Sequence, residues 1–293
     1  MLDRAWAAVV RAPADTNARR VLADLLLERG DPQGEFISLQ IAAGDAPTHR
    51  ELSEREAELL RKHSREWTPA GTRRVRFRRG LFADAVWWSE TDPSHRGWLT
   101  LERLECGVPS RASLHASPFG NDNPLTALRE VHKLPPGLCA TLLLARPRPA
   151  LRLLELRAGQ GALEAARAAV KKLPSLRVLR FCALFGEDDA LSVTLATELI
   201  SDLGPRLERL RLRCPRLAVR DALALIARRA PALTLELVCG SAPRYAWLEL
   251  GGGRARIGSI APTKVDSVIQ AETRARAAGL VRLEKYWEHD GVR

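Results

Sequence analysis

The sequence predicts an α/β solenoid with a parallel inner sheet and outer helices, preceded by a small helical domain. Three observations predict it. A short apolar pattern, Leu-x-x-Leu-x-Leu or a variant, returns six times between Leu101 and Leu237. Helix-like apolar intervals occupy the stretches between later returns. The first 70 residues instead carry four successive helical patterns with their own start and stop signals.

The first helix is predicted over residues 2–11, with Leu2, Trp6, Val9 and Val10 available to one face. Pro13 and Asp15 break it. Asn17 or Asp15 can cap a second helix whose apolar positions are Val21, Leu22, Leu25 and Leu26, and Gly30 followed by Asp31-Pro32 ends it as a turn. A third helix is predicted from Gly34 to about Ala43, burying Phe36, Ile37, Leu39 and Ile41. A fourth runs from about His49 to His63 with Leu52, Leu59 and Leu60 inward, and Trp67 reads as a core anchor.

The ordered run Pro13-Ala14-Asp15, Arg19-Arg20-Val21-Leu22-Ala23-Asp24, Glu28-Arg29-Gly30-Asp31-Pro32-Gln33-Gly34-Glu35-Phe36-Ile37 and Leu39-Gln40 resembles the repeat-companion domain of myxobacterial and planctomycete proteins. The likeness continues through Glu58-Leu59-Leu60-Arg61-Lys62-His63, Trp67 and Phe77-Arg78-Arg79-Gly80-Leu81-Phe82, about the first 85 residues. Leu25 stands where the family usually has Trp, which keeps an apolar residue at that place. The resemblance implies a bacterial source and a helical module leading into leucine-rich repeats; it implies architecture rather than an activity.

Residues 71–98 are predicted to supply strands that link the helical domain, 1–70, to the repeats, 99–240. Within Arg73-Arg74-Val75-Arg76-Phe77-Arg78-Arg79, alternation sets Arg74, Arg76 and Arg78 opposite Val75 and Phe77. That pattern suits a half-buried strand. It also suits contact with a nucleic-acid backbone, although no helix-turn-helix, zinc finger or RNA-binding aromatic motif accompanies it.

The returning pattern begins at Leu101, Leu128, Leu151, Leu176, Leu207 and Leu233, at intervals of 27, 23, 25, 31 and 26 residues. This is close to the roughly 20–29-residue period of leucine-rich repeats. In such a segment the leucines alternate inward while the residues between them meet solvent on the sheet. Ala162, Leu163, Ala166, Ala169 and Val170 form a helical series after one segment; Ala222, Leu223, Leu225 and Ile226 form another. Pro174, Pro205 and Pro231 stop the helices before each next strand. The Asn or Cys usual after the last strand leucine is inconsistent here: Cys182 and Cys214 lie near that place, but Arg157-Ala158-Gly159 follows Leu156. Residues 241–293 are predicted to form a cap: a hairpin around Gly251-Gly252-Gly253, a helix over 262–278 and an edge strand over Leu280–Leu283.

The chain of 293 residues has a formal charge of +11. Residues 1–100 hold 16 basic and 15 acidic side chains, whereas 101–293 hold 30 and 20, so the excess belongs to the second part of the chain. The predicted solvent face carries Arg103 and Glu105, Glu130 and His132, Leu153, Glu155 and Arg157, Val178 and Arg180, Arg209, Arg211 and Arg213, and Glu236. From these, Glu130, His132, Glu155, Arg157, Val178, Arg180, Arg209, Arg211 and Arg213 are the expected contacts with a macromolecular partner, foremost a protein with an acidic surface. Arg74, Arg76 and Arg78 are the expected contacts if the partner is nucleic acid.

No Gly-x-Ser-x-Gly, His-Glu-x-x-His or Walker sequence is present, and Cys106, Cys139, Cys182, Cys214 and Cys239 are too scattered for a disulfide framework or metal knuckle. The expectation is therefore a noncovalent recognition or scaffold protein, not an enzyme, without cofactor or metal. An enzyme site assembled from distant residues is the other alternative. Lacking a long apolar segment or a secretory leader, the chain is expected in the cytoplasm and off the membrane. Nothing in the sequence sets its oligomeric state.

Overall fold

The computed structural model describes residues 1–44, 52–92, 94–107, 125–141, 143–159, 161–182, 192–214, 217, 219–239, 246–251, 254–259 and 283–285. It is a mixed α/β fold with alternating helices and a mostly parallel, multi-stranded sheet. Contacts divide the chain into two compact units: Met1–His132 with Thr141–Leu151, and Lys133–Ala140 with Arg152–Arg293.

The first unit opens with helices α1 (Leu2–Arg11), α2 (Thr16–Leu27), α3 (Pro32–Ala42) and α4 (Glu54–Trp67). Asp15 rather than Asn17 caps α2, accepting hydrogen bonds from the amides of Asn17 and Ala18. Leu22 and Leu26 are buried, but Val21 lies a quarter-turn away and is 54% exposed, which corrects its assignment to the inner face. Asp31 and Pro32 do more than end α2. Asp31 accepts from the Gln33 amide and Pro32 occupies the first turn, so α3 starts two residues earlier than expected. Gly34 then falls inside the helix, where a Cβ would stand 2.6 Å from the Ala23 carbonyl oxygen; its lack of a side chain lets α3 lie against α2. The fourth helix begins at Glu54, set by a reciprocal Ser53–Glu56 cap, and Leu52 is left exposed before it. The predicted residues 49–51 of that helix lie outside the described residues.

Two apolar clusters organise these helices. One joins Leu2, Trp6 and Val9 to Leu22, Leu26, Ile37 and Leu81. The other joins Phe36, Leu59 and Trp67 with Phe77 packed against it; Trp67 stacks on Phe36 at 5.2 Å between ring centroids. Trp67 is thus a core anchor, as its sequence position suggested.

Strands β1 (Thr72–Arg78) and β2 (Leu81–Trp87) form an antiparallel hairpin, followed by β3 (Arg103–Cys106) and β4 (Glu130–Leu134) in parallel. Gly80 makes the hairpin turn at φ +78°, and a Cβ there would come 2.3 Å from the Ile37 Cα. In the second unit β5 (Leu153–Arg157), β6 (Val178–Cys182), β7 (Arg209–Arg213) and β8 (Thr234–Cys239) run parallel, and Leu154, Leu179, Leu210 and Leu235 share one register rank. All four leucines are buried. The short helix α5 (Pro136–Thr141) follows β4, and α6 (Ala162–Lys172), α7 (Val193–Leu203) and α8 (Val219–Arg229) each cross from one strand to the next, burying small residues such as Ala166, Ala169, Ala196 and Ala222. Pro174, Pro205 and Pro231 follow α6, α7 and α8 within two residues.

Beyond β8 the pairing turns antiparallel through β9 (Ala246–Gly251) and β10 (Arg254–Ser259), with Gly251 opposite Arg254 as a hairpin requires; β11 (Leu283–Lys285) then lies parallel to β10. The final strand therefore includes Leu283 but extends past it. The expected helix over 262–278 and residues 280–282 of the expected strand lie outside the described residues.

Candidate functional site

Alternation along β5–β8 sends leucines to the core and the intervening residues to the opposite face, where register sets them side by side. One rank across the second unit reads Glu155, Arg180, Arg211, Glu236 and Glu249. The neighbouring rank places Val178 beside Arg209 and Thr234. Arg209 approaches Glu236 at 3.3 Å and Glu249 at 3.8 Å, and Arg211 approaches Glu236 at 3.8 Å. Glu236 is thus a shared counter-ion, its side chain only 13% exposed, and it holds two guanidinium groups in one plane of the sheet. Arg180 has no ion pair among the described residues, and its Nε is buried without a hydrogen-bond acceptor. Of Arg213, only the backbone register, opposite Val238, is described.

Two of the expected contact residues are not solvent-facing. His132 and Arg157 are each 7% exposed, whereas both were expected to meet solvent. A residue inside a sheet has side chains about 4.8 Å away on each flank, so alternation fixes which face it takes but not how far its neighbours cover it. His132 lies 3.1 Å from the Glu130 carboxylate on its own strand and opposite Glu105, and Arg157 lies opposite Cys182. Burial, reinforced by the negative charge of Glu155, pushes the Cys182 thiol up to about 12. A thiol in that state is a poor nucleophile at neutral pH. Within the first unit, register sets a rank of alternating sign, Arg76, Asp84, Arg103 and Glu130.

No family model, curated protein or solved structure matches the chain.

The arginine hairpin departs from simple alternation. Arg73 pairs with Val86 and Arg76 with Asp84, so Arg74 and Val75 together stand against Ala85 alone, a β-bulge in which Arg74 takes φ +50°. Strict alternation had grouped Arg74, Arg76 and Arg78 on one face; the bulge instead brings Arg73 and Arg76 to the same side. Val75 and Phe77 are half-buried as expected, and Arg78 bonds Glu102 at 2.7 Å. The Arg73 guanidinium lies 4.9 Å from the centre of the Trp88 ring. Trp88 went unnoticed in the sequence, yet a signal was present: adjacent tryptophans on a strand must take opposite faces, so burying Trp87 turns Trp88 outward. Glu249 was also missed, because the sequence reading assigned its strand to the terminal hairpin and not to a place beside β8.

A cleft of about 500 Å³ in the first unit is lined by Trp6, Trp67, Phe82, Asp92, His95 and Arg96 among others. Its polar groups hold the local loop. Asp92 accepts from the amide and hydroxyl of Ser94, which lowers its pKa, and His95 Nδ1 accepts from the Gly97 amide while Nε2 donates to the Glu66 carbonyl. The neighbouring Ser94 hydroxyl donates to Asp92 rather than to this histidine, whose two ring nitrogens are both engaged with backbone groups. Among the described residues no group of three His, Cys, Asp or Glu side chains has the arrangement of a metal site, and no helix is long and apolar enough to cross a membrane.

Proposed function

We propose that the second unit is a leucine-rich-repeat-like solenoid and that the outward face of β5–β9 recognises an acidic protein surface without covalent chemistry. The helices α1–α4 are read, with it, as a repeat-companion domain. Support for the repeat reading comes from a backbone bond that recurs at each strand entrance. The Arg152 carbonyl accepts from Arg177 and Val178, the Arg177 carbonyl from Glu208 and Arg209, and the Glu208 carbonyl from Thr234. Equivalent bonds at equivalent places are what stacked copies of one supersecondary unit produce.

The observation that carries the functional reading is the rank containing Arg180 and Arg211. Arg209 and Arg211 are held in place by Glu236, while Arg180 beside them lacks an ion pair among the described residues. A rigid sheet that offers a guanidinium without an ion pair beside two oriented ones loses little side-chain entropy on meeting a carboxylate. The test is affinity capture with the full chain at moderate salt. Arg180→Glu and Arg211→Glu are expected to release a selectively retained partner by at least about tenfold, as charge reversal at a close interfacial pair does. Arg167→Glu on the exposed side of α6, where Arg167 meets Asp202 and Glu198, is expected to leave capture intact. The opposite pattern would place recognition on the helices and remove this assignment.

A further inference from the structure

The β1–β2 hairpin carries features that the sheet face of the second unit does not explain. We infer that it binds single-stranded nucleic acid, with Arg73, Arg74 and Arg76 meeting phosphates and Trp88 offering a surface for a base.

Arg73, Arg74 and Arg76 are exposed and, among the described residues, none has an ion pair. This separates them from their neighbours. Arg78 is neutralised by Glu102 and Arg79 donates to the Ala14 carbonyl. Asp84 lies opposite Arg76 in register without closing an ion pair. The three arginines therefore form a local positive strip on an outermost strand, and a strip of uncompensated guanidinium groups draws a polyanion by releasing its counterions.

Charge alone fits any polyanion, and edge-strand arginines also guard against edge-to-edge pairing. Trp88 narrows the choice. It is 48% exposed at the end of β2, on the same face as Arg73 and Val86. The Gly107 backbone fits beside the ring, since a Cβ at Gly107 would stand 2.5 Å from Trp88 Cε3. Gly107 on one flank and the Arg73 guanidinium at 4.9 Å thus hold the ring in a set position while leaving much of it in solvent. An indole and a guanidinium are both planar surfaces on which a base can stack, and stacking needs a base that is free of its duplex. The bulge at Arg74 contributes as well, because it re-aims that side chain and brings Arg73 and Arg76 to the ring's side of the hairpin.

The experiment uses the full chain and a fluorescent oligothymidine of about 12 nucleotides, a length within the usual range of a single-strand site, read by anisotropy across a salt series. With three phosphates neutralised, log K is expected to fall against log salt with a slope of about −2. Trp88→Ala is expected to weaken binding about tenfold with the slope unchanged, and Trp88→Phe to restore most of the loss, as a stacking contact behaves. Arg74→Glu with Arg76→Glu is expected to weaken binding by more than about tenfold and to flatten the slope. Circular dichroism of each variant establishes that the fold persists, and Arg180→Glu is expected to have no effect, which keeps this site distinct from the sheet face. Equal affinity for a duplex of the same length, equal competition by polyglutamate, or equal weakening by Arg180→Glu would each mean diffuse attraction to a chain of charge +11 and would overturn the inference.

Discussion

Arg19 is only 2% exposed, yet its guanidinium meets carbonyl oxygens: Pro13 at 2.7 and 3.0 Å, Arg78 at 3.1 Å and Arg79 at 3.3 Å. It ties the α1–α2 turn to the hairpin turn. Sequence spacing makes local pairs visible but not a contact 59 residues away. Arg19→Met should lower stability by about 2–4 kcal/mol, since several buried carbonyls lose their donor together; a denaturant midpoint that does not move would refute this role. Gly34→Ala should cost about 1–3 kcal/mol by forcing a methyl into the Ala23 carbonyl. The thiols supply a test by pH. Burial raises Cys139 to about 12, and burial with Glu155 raises Cys182 to about 12, each from an ordinary value of 9.0. The folded state therefore holds these protons more tightly, so their contribution to stability is full below pH 9 and is lost as pH rises toward about 12. Aromatic disulfide reagents at pH 8 should leave the buried Cys139 unmodified until the protein unfolds, and its rapid modification would contradict that burial.

Helix caps were partly legible because capping chemistry is local. Asp15 and Ser53 act through amides two or three residues ahead, and Asp15→Ala should cost about 1 kcal/mol in thermal or denaturant unfolding. Local rules still left alternatives: Asn17 was as good a cap on paper, and Asp31-Pro32 reads as readily as a stop for α2 as a start for α3. The contact of Gly34 with α2 accompanies the second reading. Glu56 shows the same division, since its reach to the Ser53 amide is local whereas the bond it accepts from Gln40 links α4 to α3. The strands were more legible than their exposure. Leucine spacing placed β3 to β8, but the bulge in β1 depends on pairing with β2 and cannot be seen in the arginine run alone.

Within the second unit each strand rank leans on the next, as the buried leucine row from Leu154 to Leu235 shows. Removing one member should weaken more than its own strand. Leu179→Ala is expected to cost about 2–5 kcal/mol, and hydrogen exchange should show β5, β6 and β7 losing protection together while α1–α4 keep theirs. Loss of protection confined to β6 would show that the neighbouring ranks do not share stability in this way.

What the sequence determined by itself was the alternation of strand and helix, the places of β3 to β8, and the side of the sheet that residues of the regular strands β5 to β8 take. These follow from period and spacing, which are properties of the chain. The tertiary structure decided how much of each outward residue is reached by solvent and which charges are already answered. His132 and Arg157 are covered, Arg209 and Arg211 share Glu236, and Arg180, Arg73 and Trp88 are left available because the register of neighbouring strands sets the company each side chain keeps. Electrostatic and packing neighbours arrive from distant parts of the chain, so a candidate surface becomes readable only after those parts have met.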